Sequence, residues 1–204
     1  MTPGKVVCVG RNYAAHATEL GNTVPERPML FLKPPSAVIG PGEPIMLPAA
    51  SQHVEFEGEI GVVLGRRLRR ATPAEAEAAI GGFACVNDVT ARDLQKLDGQ
   101  WGRAKGFDTF CPVGIPILPG VEWQSLEIVS RLNGEERQRA TANEMVFGIP
   151  DLLAYISGVM TLEPGDLVAT GTPAGTGRLT DGDFIEVEIP GVGVLANPVL
   201  REAE

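Results

Sequence analysis

The stretch VEFEGEIGVVLG, residues 54–65, decides how this chain is read. It alternates at first and then runs continuously apolar, as a strand does on entering a core. Period two puts Glu55, Glu57 and Glu59 on one face and Phe56 and Ile60 on the other. The acidic face continues through Gly61 and Val63, which belong in a core. Three like charges in a row repel, and moving them toward apolar surroundings costs more. Two readings stay open. An edge strand with a wet face would tolerate the charges. Alternatively a cation neutralises them, and oxygen ligands at i and i+2 suit a hard divalent ion such as Mg2+ or Mn2+.

A third oxygen ligand is wanted, and GGFACVNDVTARD (81–93) supplies Asp88 after a strand-like run. The same aspartate also reads as the N-cap of a helix over 89–97. WGRAKGFDTFCP (101–112) offers Lys105 among small residues, where a lone lysine is ordinarily a solvated surface group. VCVGRNYAAHATELG (7–21) places one of only two histidines three residues before a carboxylate, at His16 and Glu19. Residues three apart share a helical face. The pair reads either as a surface helix contact or as a base with its orienting carboxylate.

Elsewhere, glycine (25) and proline (17) punctuate the chain every several residues, which predicts many short strands and tight turns. KVVCVG, MLFLKP, PGEPIMLP, GIPILPG, SLEIVSRLNGEE, GDLVATGTP and GDFIEVEIPGVGVLANPV read as strands, the last a hairpin turning at PGVG. Helices are few. TPAEAEAAIGG (72–82) opens with Thr72 as N-cap and Pro73 in the first turn. GIPDLLAYISGVMTLEPG (148–165) carries apolar residues at helical spacing and stops at Pro164 and Gly165. A single β-rich domain over residues 1–204 is expected.

Composition narrows the function. Seventeen basic residues against 26 acidic ones give a net charge of −9, which argues against nucleic acid. The one basic run, GRRLRR (65–70), reads as a solvated loop. Three scattered cysteines (Cys8, Cys85, Cys111) lie in apolar stretches without CxxC spacing, so buried reduced thiols in a cytoplasmic protein are expected. No run reaches the ~20 apolar residues that span a bilayer. ATGTPAGTG (169–177) lacks the lysine of a phosphate loop.

Taken in order, VGRNYAAHATE, LFLKP, EGEIGVV, NDVTARDLQ, AKGFDTFCPVG and GDLVATGTPAGTG resemble the fumarylacetoacetate hydrolase family over nearly the whole chain. The likeness is to its short, single-module branch of acylpyruvate hydrolases and oxaloacetate decarboxylases or tautomerases. The resemblance implies an α+β, β-rich fold, a mixed barrel-like roll with a few short helices, usually dimeric. It implies a divalent metal, Mg2+ or Mn2+, on Glu57, Glu59 and Asp88, with Glu55 one step outside the triad. It implies catalytic roles for His16, Glu19 and Lys105. Gln95 and Thr172 match positions lining the pocket, and Arg11, Lys33 and Arg92 match further motif residues.

These residues permit a definite chemistry. An acylpyruvate chelates the metal through its carboxylate and 2-oxo oxygens, and cleavage between C3 and C4 expels pyruvate as its metal-bound enolate. Lys105 stabilises an oxyanion. His16 would activate water, Glu19 would orient the imidazole ring, and residues 11–24 would form a lid. Hydrolysis of acylpyruvates or related diketo acids is therefore the leading expectation. The alternatives are decarboxylation or tautomerisation of oxaloacetate, isomerisation or decarboxylation of 2-hydroxyhepta-2,4-diene-1,7-dioate-type diacids in aromatic catabolism, and a binding domain without turnover.

Overall fold

A computed structural model describes residues 2–19, 21–118 and 122–202. Leu20 of the expected lid, and Pro119 and Gly120 of the expected strand GIPILPG, lie outside the described residues. The fold is α+β and strand-rich, as expected, but its strands form separate sheets rather than a closed barrel.

The first sheet has the order β2–β1–β12–β6–β7. Its strands are β1 (Val6–Gly10), β2 (Met29–Lys33), β6 (Gly58–Leu64), β7 (Ile80–Asn87) and β12 (Leu167–Ala169). Every residue of β6 is buried, which is why the second half of the opening stretch reads as unbroken apolar sequence. β6 pairs antiparallel with both β7 and β12, while β1 pairs parallel with β12. The second sheet runs β11–β10–β14–β15–β4: β4 (Ile45–Leu47), β10 (Glu127–Leu132), β11 (Glu135–Thr141), β14 (Phe184–Ile189) and β15 (Gly193–Arg201). The third, β13–β5–β8, is small: β5 (Val54–Phe56), β8 (Thr90–Ala91) and β13 (Gly177–Arg178). β3 (Val38–Ile39) and β9 (Cys111–Pro112) pair in parallel.

The described residues also form five short α-helices: α1 (Ala14–Glu19), α2 (Pro73–Glu77), α3 (Arg92–Asp98), α4 (Gly102–Lys105) and α5 (Ile149–Val159). In α2 the Thr72 cap forms as read, reinforced by the Glu75 side chain reaching back to the Thr72 N–H. α5 buries Leu152, Leu153 and Ile156 in the main core, which also takes Val7, Ile60, Val62, Ile128 and Leu195 from the two large sheets. Among the described residues no helix is long and apolar enough to cross a membrane.

Three expectations need correction. The opening stretch is not one strand. It breaks at Glu57, with β5 in the third sheet and β6 in the first, so Phe56 and Ile60 enter different cores. Asp88 does not cap a helix: α3 begins four residues later, its N-cap position is Ala91, and Asp88 donates its N–H to the Glu57 carbonyl at 2.8 Å. GIPILPG makes no strand among its described residues. Only Ile117 bridges, to Phe83, and Ile115 and Leu118 are exposed.

Candidate metal and proton-transfer site

The break at Glu57 builds the site. The chain passes from the third sheet to the first at Glu57, returns from the first to the third at Asp88, and does so again through residues 170–176 between β12 and β13. These three crossings lie side by side, tied by the Asp88 N–H to Glu57 and by the Thr170 hydroxyl to the Ile60 carbonyl. Acidic side chains at a seam between sheets are held by backbone on both sides. The wet edge strand is thereby excluded: Glu57, Glu59 and Asp88 are all buried, with one carboxylate oxygen from each within 4.8 Å of the others.

Buried charge needs partners, and the fold supplies cations. Lys105, at the end of α4, is 2 % exposed, and its ammonium donates to Glu57 Oε2 at 2.6 Å and Asp88 Oδ2 at 2.7 Å. It is no surface lysine. It also lies 4.9 Å from the Phe31 ring centroid. Lys33 donates to Asp88 Oδ1 at 2.5 Å and to the Val89 carbonyl at 3.0 Å. Arg92 pairs with Glu57 Oε1 at 2.6 Å and with Glu55 Oε2 at 2.7 Å. Glu55 thus stands outside the triad as a counter-charge to Arg92.

The carboxylates respond oppositely. Burial pushes Glu57 up, but Lys105 and Arg92 outweigh it and hold the group well below the usual range. Burial pushes Glu59 up too, and there the neighbouring Asp88 and Glu57 charges add to it. The Gly171 N–H, donating to Glu59 Oε2 at 2.7 Å, offsets only part. Burial lowers Lys105, yet Asp88 and Glu57 leave it raised overall.

Glycine is required at the seam twice. A side chain at Gly58, between the two glutamates, would run into Ser130 Oγ. Gly171 has φ +101°, and a Cβ there would sit 2.7 Å from Asn12 Cβ.

A cavity of about 390 Å³ opens on this cluster. Of the sequence-predicted residues, Arg11, His16, Glu57, Glu59, Asp88, Arg92, Gln95, Lys105 and Thr172 line it. Lys33 does not: its ammonium stands behind Asp88 as a counter-ion. Glu19 is off the wall, but its Oε2 lies 3.1 Å from His16 Nδ1. The Gly175 N–H donates to the same carboxylate at 3.1 Å, docking α1 on the 170–176 loop. With Nδ1 engaged, Nε2 is the imidazole nitrogen left for the cavity. Thr172 lines the wall, yet its hydroxyl serves the frame, donating to the Gly58 carbonyl at 2.8 Å and accepting from Gln138 Nε2 at 2.8 Å.

Other contributors escape sequence reading. Gln138, on β11, uses its Oε1 to accept from the Gly58 N–H and from Ser130. Asn12 is fully buried and joins Thr170 to Phe147 through three hydrogen bonds. Trp101, edge-on to Phe31 with centroids 5.2 Å apart, forms an apolar wall. Its only advance signal is a rare Trp just before the AKGF motif.

Three converging carboxylates are hard oxygen donors and leave about three octahedral positions for water or substrate. The donor set could hold a hard divalent ion.

Comparison with known proteins shows what the chain is similar to. The family model for the fumarylacetoacetate (FAA) hydrolase C-terminal region matches residues 5–200. The chain is 43 % identical over 188 residues to a Caenorhabditis elegans protein named mitochondrial oxaloacetate tautomerase fahd-1, covering 89 % of this chain and 88 % of that one. It superimposes with a TM-score of 0.92 on a Mycobacterium marinum structure described as a 2-hydroxyhepta-2,4-diene-1,7-dioate isomerase, at 46 % identity, covering 100 % of this chain and 77 % of that one. It superimposes equally, at 0.92 and 32 % identity, on a Pseudomonas aeruginosa fumarylpyruvate hydrolase in complex with Mn2+ and pyruvate, with 98 % and 91 % coverage.

Proposed function

The chain belongs to the fumarylacetoacetate hydrolase family, and from that premise we propose that it is a divalent-metal-dependent enzyme that moves a proton at C3 of 2-oxo acids, as an oxaloacetate-type keto–enol tautomerase. The observation that carries this reading is one cavity wall shared by the His16 imidazole, the triad and the Lys105 ammonium. The tautomerase and isomerase names of relatives above 40 % identity favour it over acylpyruvate hydrolysis, the leading expectation from sequence.

Glu57, Glu59 and Asp88 would hold Mg2+ or Mn2+, which supplies Lewis-acid polarisation of a 2-oxo group and charge neutralisation. The chain's own groups do the rest. His16 Nε2 exchanges a proton with C3, a transfer that an imidazole can run in both directions. Glu19 keeps the Nδ1 proton in place and stabilises the imidazolium when it forms. Lys105 faces the oxygen on which enolate charge collects, and stabilisation that grows with that charge lowers the barrier. Phe31 and Trp101 keep bulk water from one side.

A second reading, C–C hydrolysis, rests on the same dyad, since His16 Nε2 is equally placed to deprotonate water. The P. aeruginosa neighbour supports it. Purified protein with Mg2+ or Mn2+ assayed on oxaloacetate (both the enol decay and decarboxylation), acetylpyruvate, fumarylpyruvate and a heptadienedioate separates the two. Tautomerisation is expected to be the fastest reaction and to vanish with chelator. Acylpyruvate cleavage without accelerated enol decay would overturn the proposal.

A further inference from the structure

Charge at the cavity is not balanced by the inner cluster alone. With Glu55, Glu57, Glu59 and Asp88 ionised, four carboxylates face the three cations Lys33, Lys105 and Arg92, one negative charge in excess. A divalent ion turns that into one positive charge, which the single carboxylate of a 2-oxo monoacid would already neutralise. Two more cations line the same cavity, Arg11 and Lys96. Among the described residues neither side chain has a hydrogen-bond or ion-pair partner, whereas Arg92 and Lys105 on the same wall are paired with carboxylates. Arg103, which follows on α4, is committed to Asp98.

The backbone singles out Arg11 further. Its φ is +58°, in the left-handed region that a non-glycine residue rarely occupies. The next residue, Asn12, is buried and held on both sides by the Phe147 and Thr170 backbone. The fold therefore keeps Arg11 in a costly conformation beside the cavity and gives its guanidinium no partner among the described residues, a combination that points to a ligand. Lys96 sits in the last turn of α3, one residue after Gln95, and lines the same cavity.

We propose that Arg11 and Lys96 form a subsite for a second carboxylate, making the enzyme selective for 2-oxo diacids over 2-oxo monoacids. This deepens the function proposed above and rests on it for the end of the substrate that faces the triad. Neither cation takes part in proton transfer; they set which acid is held.

The test uses Mg2+-loaded full-length protein with Arg11→Asn, Lys96→Gln and the double variant. Asparagine tolerates the left-handed conformation, and glutamine suits an exposed helix position, so both substitutions remove charge while keeping backbone. Calorimetry measures binding of 2-oxoglutarate as a non-reacting diacid and 2-oxobutyrate as its monoacid counterpart; oxaloacetate turnover is followed in parallel. Wild type is expected to prefer the diacid. Each substitution should weaken diacid binding roughly tenfold and raise KM for oxaloacetate, with monoacid binding unchanged. Absence of diacid preference in wild type, or equal weakening of both acids in the variants, would overturn the subsite. Diacid preference lost in the variants, in a protein that does not turn over oxaloacetate, would keep the subsite and refute the proposed function. Turnover with unaltered diacid preference in the variants would do the reverse.

Discussion

Replacing Lys105 with methionine should make folding depend on metal. The ammonium is 2 % exposed and bridges Glu57 and Asp88 at 2.6 and 2.7 Å. Methionine keeps much of the stem that packs near Phe31 but leaves two buried carboxylates without that partner. Breaking a buried pair by removing one member costs about 3–5 kcal/mol. At roughly 2–4 °C per kcal/mol for a chain of this size, the melting temperature in chelator should fall by about 6–20 °C. A divalent ion restores positive charge to the same oxygens. In the native protein the ammonium competes with it for Glu57 and Asp88, so the variant should gain more from the ion. At a hundredfold excess over Kd any such ligand adds about 2.7 kcal/mol, and a tighter Kd adds more. Thermal and urea unfolding of both proteins, in chelator and in saturating Mg2+, measures this. An identical deficit in both media would refute the reasoning and show that Lys105 acts by packing rather than by charge.

Glu59→Gln should raise the melting temperature of metal-free protein at neutral pH while abolishing metal binding. The folded pKa of Glu59 lies above its unfolded value, so its contribution is complete below ordinary carboxylate pH and is lost as pH rises through the raised value. Unfolding from pH 4 to 8 in chelator should show the variant lacking that fall. His16→Ala should reduce kcat by about 100-fold or more, and Glu19→Gln by less, in stopped-flow enol decay, while Mg2+ affinity by calorimetry stays unchanged. His16→Ala should also suppress acylpyruvate cleavage far more than oxaloacetate decarboxylation, which needs no activated water; equal losses would argue against that base. Gly171→Ala should destabilise by about 1–3 kcal/mol and weaken Mg2+ binding, because φ +101° and the nearby Asn12 Cβ force the Glu59-binding N–H to move.

Spacing brings Glu55, Glu57, Glu59 and Asp88 forward as candidates, but the choice of Glu57, Glu59 and Asp88 comes from the family resemblance; pattern alone leaves a wet edge strand and a helix cap open. Punctuation by glycine and proline indicates a β-rich domain with few helices, and the family resemblance supplies the α+β class. The break at Glu57 was not legible, since alternation looks the same whether a strand continues or passes to a neighbouring sheet. That choice is made by β8 and β13, far along the chain. The helix-cap reading of Asp88, left open beside the ligand reading, shows the same limit: Thr90 and Ala91 pair with β5 before α3 can start. Buried polar residues such as Lys33, Asn12 and Gln138 look like surface residues until the partners of their donors and acceptors are known. GIPILPG has strand-like composition, and only its pairing, one bridge at Ile117, decides against it.

The meeting of three sheet-to-sheet crossings at one point has a mechanical meaning. β8 and β13 are two residues each and hold the third sheet by few backbone bonds, so local opening there should be cheap. An ion held by Glu57, Glu59 and Asp88 would act as a rivet through that joint. Amide exchange at Thr90, Ala91 and Arg178 should slow on metal loading by a larger factor than anywhere in the first sheet.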